Sequence, residues 1–461
     1  MAATLDRFEA GVAGLDDVLA GGFFRGSLYI IEGEPGAGKT TLANQIAYHR
    51  AQSGERIIYA TLLAESADRM LAYISNMTFS DPFRVGREIS YVSFYNALSS
   101  RRLPGLLEEI RNTIREKDPS ILILDGLLVA AERSESSFSY REFIHIIQGE
   151  AQLHGCTVFF LNNGSESPYS AERTMVDGII RLGSLRNQAR VVKTLEVMKL
   201  RGADYLSGVH FLTIDQGGAR VWPRFETLMA PDPVHLPEGA VSTGNKGLDE
   251  LLCGGLPVGS GTLVVGPSGS GKTSLGLAFL ESVSTSEPGL FVSFYEKPAV
   301  LRRKAERLGI GLERPILDGS LKLMWMRPAE KTIDETCHLI LREVDALGAR
   351  KLFIDGATAL RLLSLFPERL TAVLRSFSEQ LLARGVTAIF TFEPRDLFSP
   401  RIPEIEDLSA ISDNILLLRL ADQGQTLSRS VCVVKVRDGG IQSDVVPYSL
   451  TDHGLVIERA G

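Results

Sequence analysis

GVAGLDDVLAGGFFRGSLYIIEGEPGAGKTT, residues 11–41, returns later in the same chain as GNKGLDELLCGGLPVGSGTLVVGPSGSGKTS, residues 244–274. Each copy carries Gly-Leu-Asp, then Gly-Gly, then a run of apolar residues, then a glycine-rich loop ending in Gly-Lys-Thr. Further markers follow in the same order. ILILDG at 121–126 pairs with KLFIDG at 351–356, and VMKLRG at 197–202 with VVKVRDG at 433–439. The offset stays nearly constant: 233 residues from Lys39 to Lys272, 230 from Asp125 to Asp355 and 236 from Lys199 to Lys435. Ordered markers at one spacing indicate a duplicated domain and not a coincidence of short motifs.

Within each copy, short doubly apolar runs alternate with amphipathic segments. SLYIIEG, RIIYATL, ILILDG and TVFFLNN are strands, and TTLANQIAYHRAQSG and ADRMLAYISNM are helices. That alternation predicts an α/β fold with a mostly parallel sheet covered on both faces. After Asp177 the pattern turns to successive β-type runs, GIIRLGSL, ARVVKTLEVMKLRG and HFLTI, which predict an antiparallel extension at one sheet edge. The second copy repeats this with DNILLLRL, SRSVCVVKVRDG and VVPYSLTDHGLVI. MAPDPVHLPEG, residues 229–239, is proline-rich and aperiodic, as a linker is. The expected domains are therefore 1–233 and 234–461, with the cut near Val234.

Composition sets wide bounds. The 461 residues are 44 % apolar and 23 % charged, which favours a folded globular chain over disorder. The net charge of −7 argues against a general nucleic-acid coat but leaves room for a local phosphate site. Cys156, Cys253, Cys337 and Cys432 stand far apart, so neither a zinc site nor a disulfide framework is expected. The seven histidines show no ligand spacing. The N-terminal residues lack a signal-peptide apolar core, and no apolar run is long enough to span a bilayer. A cytoplasmic protein is the expectation.

The chemistry gathers at the two glycine-rich loops. Gly33-Glu34-Pro35-Gly36-Ala37-Gly38-Lys39-Thr40 and Gly266-Pro267-Ser268-Gly269-Ser270-Gly271-Lys272-Thr273 both match G-x-x-x-x-G-K-[ST] between a strand and a helix, with Thr41 and Ser274 following. Successive backbone N–H groups turn inward on phosphate oxygens there, and the helix N-terminus adds partial positive charge. Lys39 and Lys272 are expected to neutralise the β- and γ-phosphates of ATP, and Thr40 and Thr273 to ligate Mg²⁺. Asp125 and Asp355 each end an apolar strand, where the magnesium shell needs an acceptor; the plain alternative is a turn-capping Asp. Glu65 and Glu296 follow the next strand and are the candidates to polarise a water. Asn162, Asn163 and Thr391 end strands and are placed either to sense a γ-phosphate or to satisfy a turn. Lys199/Arg201 and Lys435/Arg437 form K-x-R pairs on one strand face; they are either γ-phosphate cations or a charged sheet edge. VLRRKAERLGI, 300–310, reads as a solvated basic helix face.

Taken together, Gly-Leu-Asp, GEPGAGKT and GPSGSGKT, the strand-end Glu, the apolar-Asp strands and the late K-x-R resemble the KaiC family of tandem RecA-fold ATPases. The resemblance covers nearly the whole chain. It implies two RecA-like P-loop domains, hexameric rings with ATP between subunits, and K-x-R residues that approach the neighbour's nucleotide. The adjacent glutamate pair of that family reads Ala64-Glu65 and Tyr295-Glu296 here, so one carboxylate remains in each copy. The family's Ser-Thr phosphosite reads Ser409-Ala410, which leaves single-site autophosphorylation at Ser409 or Ser412 as the kinase alternative. The chain ends at Gly461, soon after its last strand, so the longer tail through which clock-type members engage a partner is not expected. The leading expectation is an ATP-hydrolysing, ring-forming regulatory switch read by a protein partner. The rivals are a DNA-dependent RecA-class motor, which the acidic balance disfavours, and a nucleotide-binding scaffold that does not hydrolyse.

Overall fold

The computed structural model describes residues 6–63, 67–132, 134, 137–163, 171–187, 189–232, 238–394, 411–422, 426–437, 440 and 444–457. Packing divides the chain into two compact units, Met1–Arg224 and Phe225–Gly461. The expected cut at Val234 lies outside the described residues.

The strands of the first unit's main sheet are β1 (Leu28–Gly33), β2 (Ile57–Thr61), β3 (Ile89–Ser93), β4 (Ile121–Asp125), β5 (Thr157–Asn162), β6 (Gly178–Asn187), β7 (Arg190–Leu200), β8 (Val209–Asp215) and β9 (Gly218–Trp222). Those of the second are β10 (Gly261–Val265), β11 (Gly289–Ser293), β12 (Leu321–Trp325), β13 (Lys351–Asp355), β14 (Thr387–Phe392), β15 (Asn414–Asp422), β16 (Leu427–Lys435), β17 (Val446–Thr451) and β18 (Gly454–Ile457). The spatial orders are β3-β2-β4-β5-β1-β6-β7-β8-β9 and β12-β11-β13-β14-β10-β15-β16-β17-β18. They are the same order, so the duplication seen in the sequence is a duplication of topology. In each sheet the first six strands of that order run parallel and the last three antiparallel. The chain is α/β, with two tandem RecA-like domains.

The central strands are buried on both faces, which is why they read as continuous apolar runs and not as alternation. Alternate residues of β1 enter different cores: Leu28 and Ile30 join one cluster, Tyr29 and Ile31 the other. β10 does the same, with Leu263 and Val265 on one side and Val264 on the other. Fully burying one such side chain contributes roughly 1.5–3 kcal/mol. The buried parallel strands fix the loops at their C-terminal ends.

Phe225 begins the second unit for a physical reason. Its ring is fully buried against Phe377 and His338. Its N–H donates to Asp334 Oδ1 at 2.8 Å, and Arg369 clamps both Glu226 and Asp334 at 2.7 Å.

Candidate functional site

β1 and β10 each lead through a glycine-rich loop into a helix, α1 (Lys39–Gln52) and α2 (Lys272–Phe279). β1 lies between β5 and β6, and β10 between β14 and β15, so each loop opens at the centre of the sheet's C-terminal edge. The last glycine of each loop caps its helix in left-handed backbone, Gly38 at φ 108° and Gly271 at φ 93°. A Cβ at Gly38 would also stand 2.2 Å from Ile214 Cδ1 of β8, and one at Gly271 would stand 2.7 Å from Leu450 Cδ2 of β17. The antiparallel extension thus reaches back over the loop, and the left-handed backbone there favours glycine. Gly36 and Gly269 have open space where a Cβ would stand.

Both loop lysines fold onto their own loop. Lys39 Nζ donates to the carbonyls of Gly33 at 2.6 Å and Glu34 at 3.1 Å; Lys272 Nζ donates to those of Gly266 and Pro267, both at 2.7 Å. Burial lowers the pKa of each, and it is partly offset by Asp125 for Lys39 and by Glu393 and Asp355 for Lys272. A cation held only by backbone carbonyls in a half-dry loop is well placed to meet phosphate.

The two strand-end aspartates differ in their partners. In the second unit, Thr273 Oγ1 donates to Asp355 Oδ2 and Thr391 Oγ1 to Asp355 Oδ1, each at 2.9 Å. Burial raises the Asp355 pKa, and those two hydroxyls offset the rise only in part. In the first unit the donor to Asp125 Oδ2 is the Tyr59 hydroxyl, at 2.8 Å. Burial first, and then the Asp125 charge, pushes that phenol well above its ordinary range. No sequence signal marked Tyr59, because a buried tyrosine in a strand reads as one more apolar residue.

Around the second loop, Ser268, Gly269, Gly271, Lys272, Thr273 and Ser274 line a cavity of about 480 Å³. Tyr295, Glu296, Lys304, Asp355, Gly356, Thr391, Glu393 and Leu450 complete its wall. Glu296 is therefore brought to the loop. Its Oε1 accepts from Lys304 Nζ at 2.7 Å, while its Oε2 is buried with no hydrogen-bond partner. The expectation of a solvated basic helix holds for Arg302 and Arg303, which are exposed, and fails for Lys304, which turns into the cavity. The first cavity, about 460 Å³, is lined by Gly36, Thr40, Thr41, Thr61 and Asp125, with Leu63, Met70, Tyr73, Ile74 and Met77 as an apolar wall. Glu65 and Ser409 lie outside the described residues. Asn162 Oδ1 is buried without a partner at the end of β5.

The K-x-R residues are not brought to their own loop. β7 runs antiparallel to β6, which is parallel to β1, so Leu200 pairs with Gly178 at the N-terminal end of the parallel strands. Lys199 Nζ donates to the carbonyls of Arg173 and Thr174, and Arg201 to that of Thr174, all at 3.1 Å. In the second unit Lys435 donates to the Ser412 carbonyl at 3.3 Å and Arg437 pairs with Asp413 at 3.2 Å. All four stand at the sheet end opposite the phosphate loop of their own unit.

The family model described as "ATPase: KaiC" matches residues 8–226 and again 241–461. The chain belongs to the KaiC family. It is 24 % identical to the circadian clock oscillator protein KaiC of Prochlorococcus marinus subsp. pastoris, over 98 % of this chain and 91 % of that protein. It is 23 % identical to the circadian clock protein KaiC3 of Synechocystis sp., over 99 % and 92 %. It is 32 % identical to KaiC of Nostoc sp. over 47 % of this chain and 43 % of that protein. Both KaiC-type halves are thus present in tandem. Among the described residues no helix is long and apolar enough to cross a membrane.

Proposed function

We propose that this KaiC-family chain binds ATP with Mg²⁺ at both phosphate loops and hydrolyses it. The nucleotide state sets assembly of a ring that acts as a cytoplasmic regulatory switch for a protein partner. The observation that carries this reading is the second cavity, where Lys272, Thr273, Asp355 and Glu296 face one another. The donor set suits the group it would hold: a threonine hydroxyl on a carboxylate, a lysine on loop carbonyls and a carboxylate oxygen still lacking a donor. Thr273 and Asp355, and in the first unit Thr40 and Asp125, would hold Mg²⁺. That ion would supply charge neutralisation on the β- and γ-phosphates.

Lys272 leaves the Gly266 and Pro267 carbonyls for the phosphates. Glu296 takes the proton of the attacking water as the new O–P bond forms and the bond to the ADP oxygen breaks. Glu65 is the matching base in the first unit by spacing. The K-x-R residues stand too far round the sheet to serve their own loop, which supports a role on the nucleotide of a second copy. A hexameric ring, the family's assembly, provides that copy.

The test is phosphate release by the purified chain beside Glu296→Gln and Glu65→Gln. Release by wild type that one Gln substitution lowers at least a hundredfold supports hydrolysis and locates it. ATP retained unchanged by all three proteins overturns hydrolysis and leaves a nucleotide-gated scaffold.

A further inference from the structure

Lys304 sits on the helix Pro298–Arg307, eight residues after Glu296. Pro298 stands at the helix start, and Leu301 and Ala305 are buried, which fixes the helix rotation and leaves Lys304 at the cavity edge. Glu296 is fixed from the other side, because its N–H donates to Ser293 Oγ at 2.9 Å. The result is a 2.7 Å ion pair on the wall of the phosphate cavity, each side chain about one-third exposed (34 % and 30 %). One Glu296 oxygen is occupied by the ammonium; the other is buried and without a donor.

The cavity balances carboxylates Glu296, Asp355 and Glu393 against the cations Lys272 and Lys304. A terminal phosphate entering it adds negative charge beside those carboxylates. Of the two cations, Lys304 is the one bound to a carboxylate on a flexible stem, and it can exchange that carboxylate for phosphate without loss of pairing. ADP brings no γ-phosphate and so gives Lys304 no reason to leave. In the first unit the same eight-residue step from Glu65 reaches Tyr73, whose hydroxyl accepts from Arg69 Nε at 3.4 Å, and Met70, Ile74 and Met77 line the cavity beside it.

We propose that Lys304 is a nucleotide-sensing positioning residue of the second site, holding Glu296 while no γ-phosphate is present and moving to the γ-phosphate when ATP binds, which frees Glu296 for the water. This deepens the ATP-binding and hydrolysis reading and rests on it.

The experiment uses the full chain carrying Lys39→Ala, so that nucleotide reports on the second site. Affinities for the β,γ-imido analogue of ATP and for ADP are compared across Lys304→Met, Lys304→Arg and Glu296→Gln, with a thermal melt for each and Lys304→Gln replacing any Met variant that fails to fold. Lys304→Met should lower the ATP-analogue-to-ADP affinity ratio roughly tenfold. Lys304→Arg should restore most of it, and Glu296→Gln should raise it, because the lysine is then released from its carboxylate. An unchanged ratio in Lys304→Met, or equal weakening of both nucleotides, overturns the proposal. If the ratio falls as expected while the wild type releases no phosphate, the hydrolysis reading fails and the sensing role of Lys304 stands.

Discussion

At the residue scale, the two sites solve one problem with different atoms. Asp355 accepts from two threonine hydroxyls, and a tyrosine hydroxyl is among the groups that meet Asp125. Tyr59→Phe should cost about 1–3 kcal/mol by removing the hydroxyl's hydrogen bonds to Asp125 and Thr40, read as a lower urea midpoint at unchanged slope. Asp355 carries a pH signature. Its folded-state pKa is raised by burial, so the folded chain binds that proton more tightly than the unfolded chain. Its contribution to stability is therefore present at low pH and lost as pH rises through the folded value. Asp355→Asn should raise the nucleotide-free melting temperature at neutral pH while abolishing Mg²⁺-dependent ATP binding at the second site. A lower melting temperature would show that Asp355 stabilises the empty fold. Gly38→Ala should weaken nucleotide binding at the first site, because an L side chain is strained in the left-handed backbone at φ 108° and its methyl also displaces the Ile214 side-chain end; unchanged binding of two nucleotides per chain by this variant would refute the backbone argument.

At the element scale, the antiparallel strands do more than widen the sheet. Ile214 and Leu450 reach the loops from β8 and β17, and the Tyr448 hydroxyl donates to the Ser270 carbonyl at 2.9 Å. These contacts tie the phosphate loops to the antiparallel strands. The segment that opens the second unit is secured by charge as well as packing. Asp334 is fully buried, and Arg369 is its cationic partner. Arg369→Ala should destabilise the second unit by about 3–5 kcal/mol, because it leaves a buried carboxylate with no cation. Denaturant unfolding followed by hydrogen exchange at Phe225–Thr227 checks this, and full protection of that segment in the variant would count against it.

At the scale of the whole molecule, each unit contains a complete phosphate loop, helix and strand-end carboxylate. Lys39→Ala should therefore reduce bound nucleotide from two per chain to one, and Lys272→Ala should do the same from the other side. Loss of both nucleotides from either single variant would mean that the sites fill only together. Arg437→Ala should weaken ATP-dependent assembly, measured by light scattering, if its guanidinium serves a second copy; unchanged assembly would identify the charged-edge alternative.

The sequence by itself determined the duplication, the α/β class, the parallel core with its antiparallel edge and the two phosphate loops. These rest on local spacing: strand and helix periods, and glycines at fixed offsets before Lys39 and Lys272, which repeat without reference to the rest of the fold. Only the tertiary structure decided that Tyr59 serves Asp125, that Lys304 faces Glu296, and that Lys199, Arg201, Lys435 and Arg437 stand away from their own loops. It also assigned Phe225 to the second unit. The reason is that these relations join residues far apart in the chain, or depend on the rotation of one helix. A lysine's direction is set by which neighbours are buried, and Leu301 and Ala305 settle that for Lys304 only once the sheet beneath them exists.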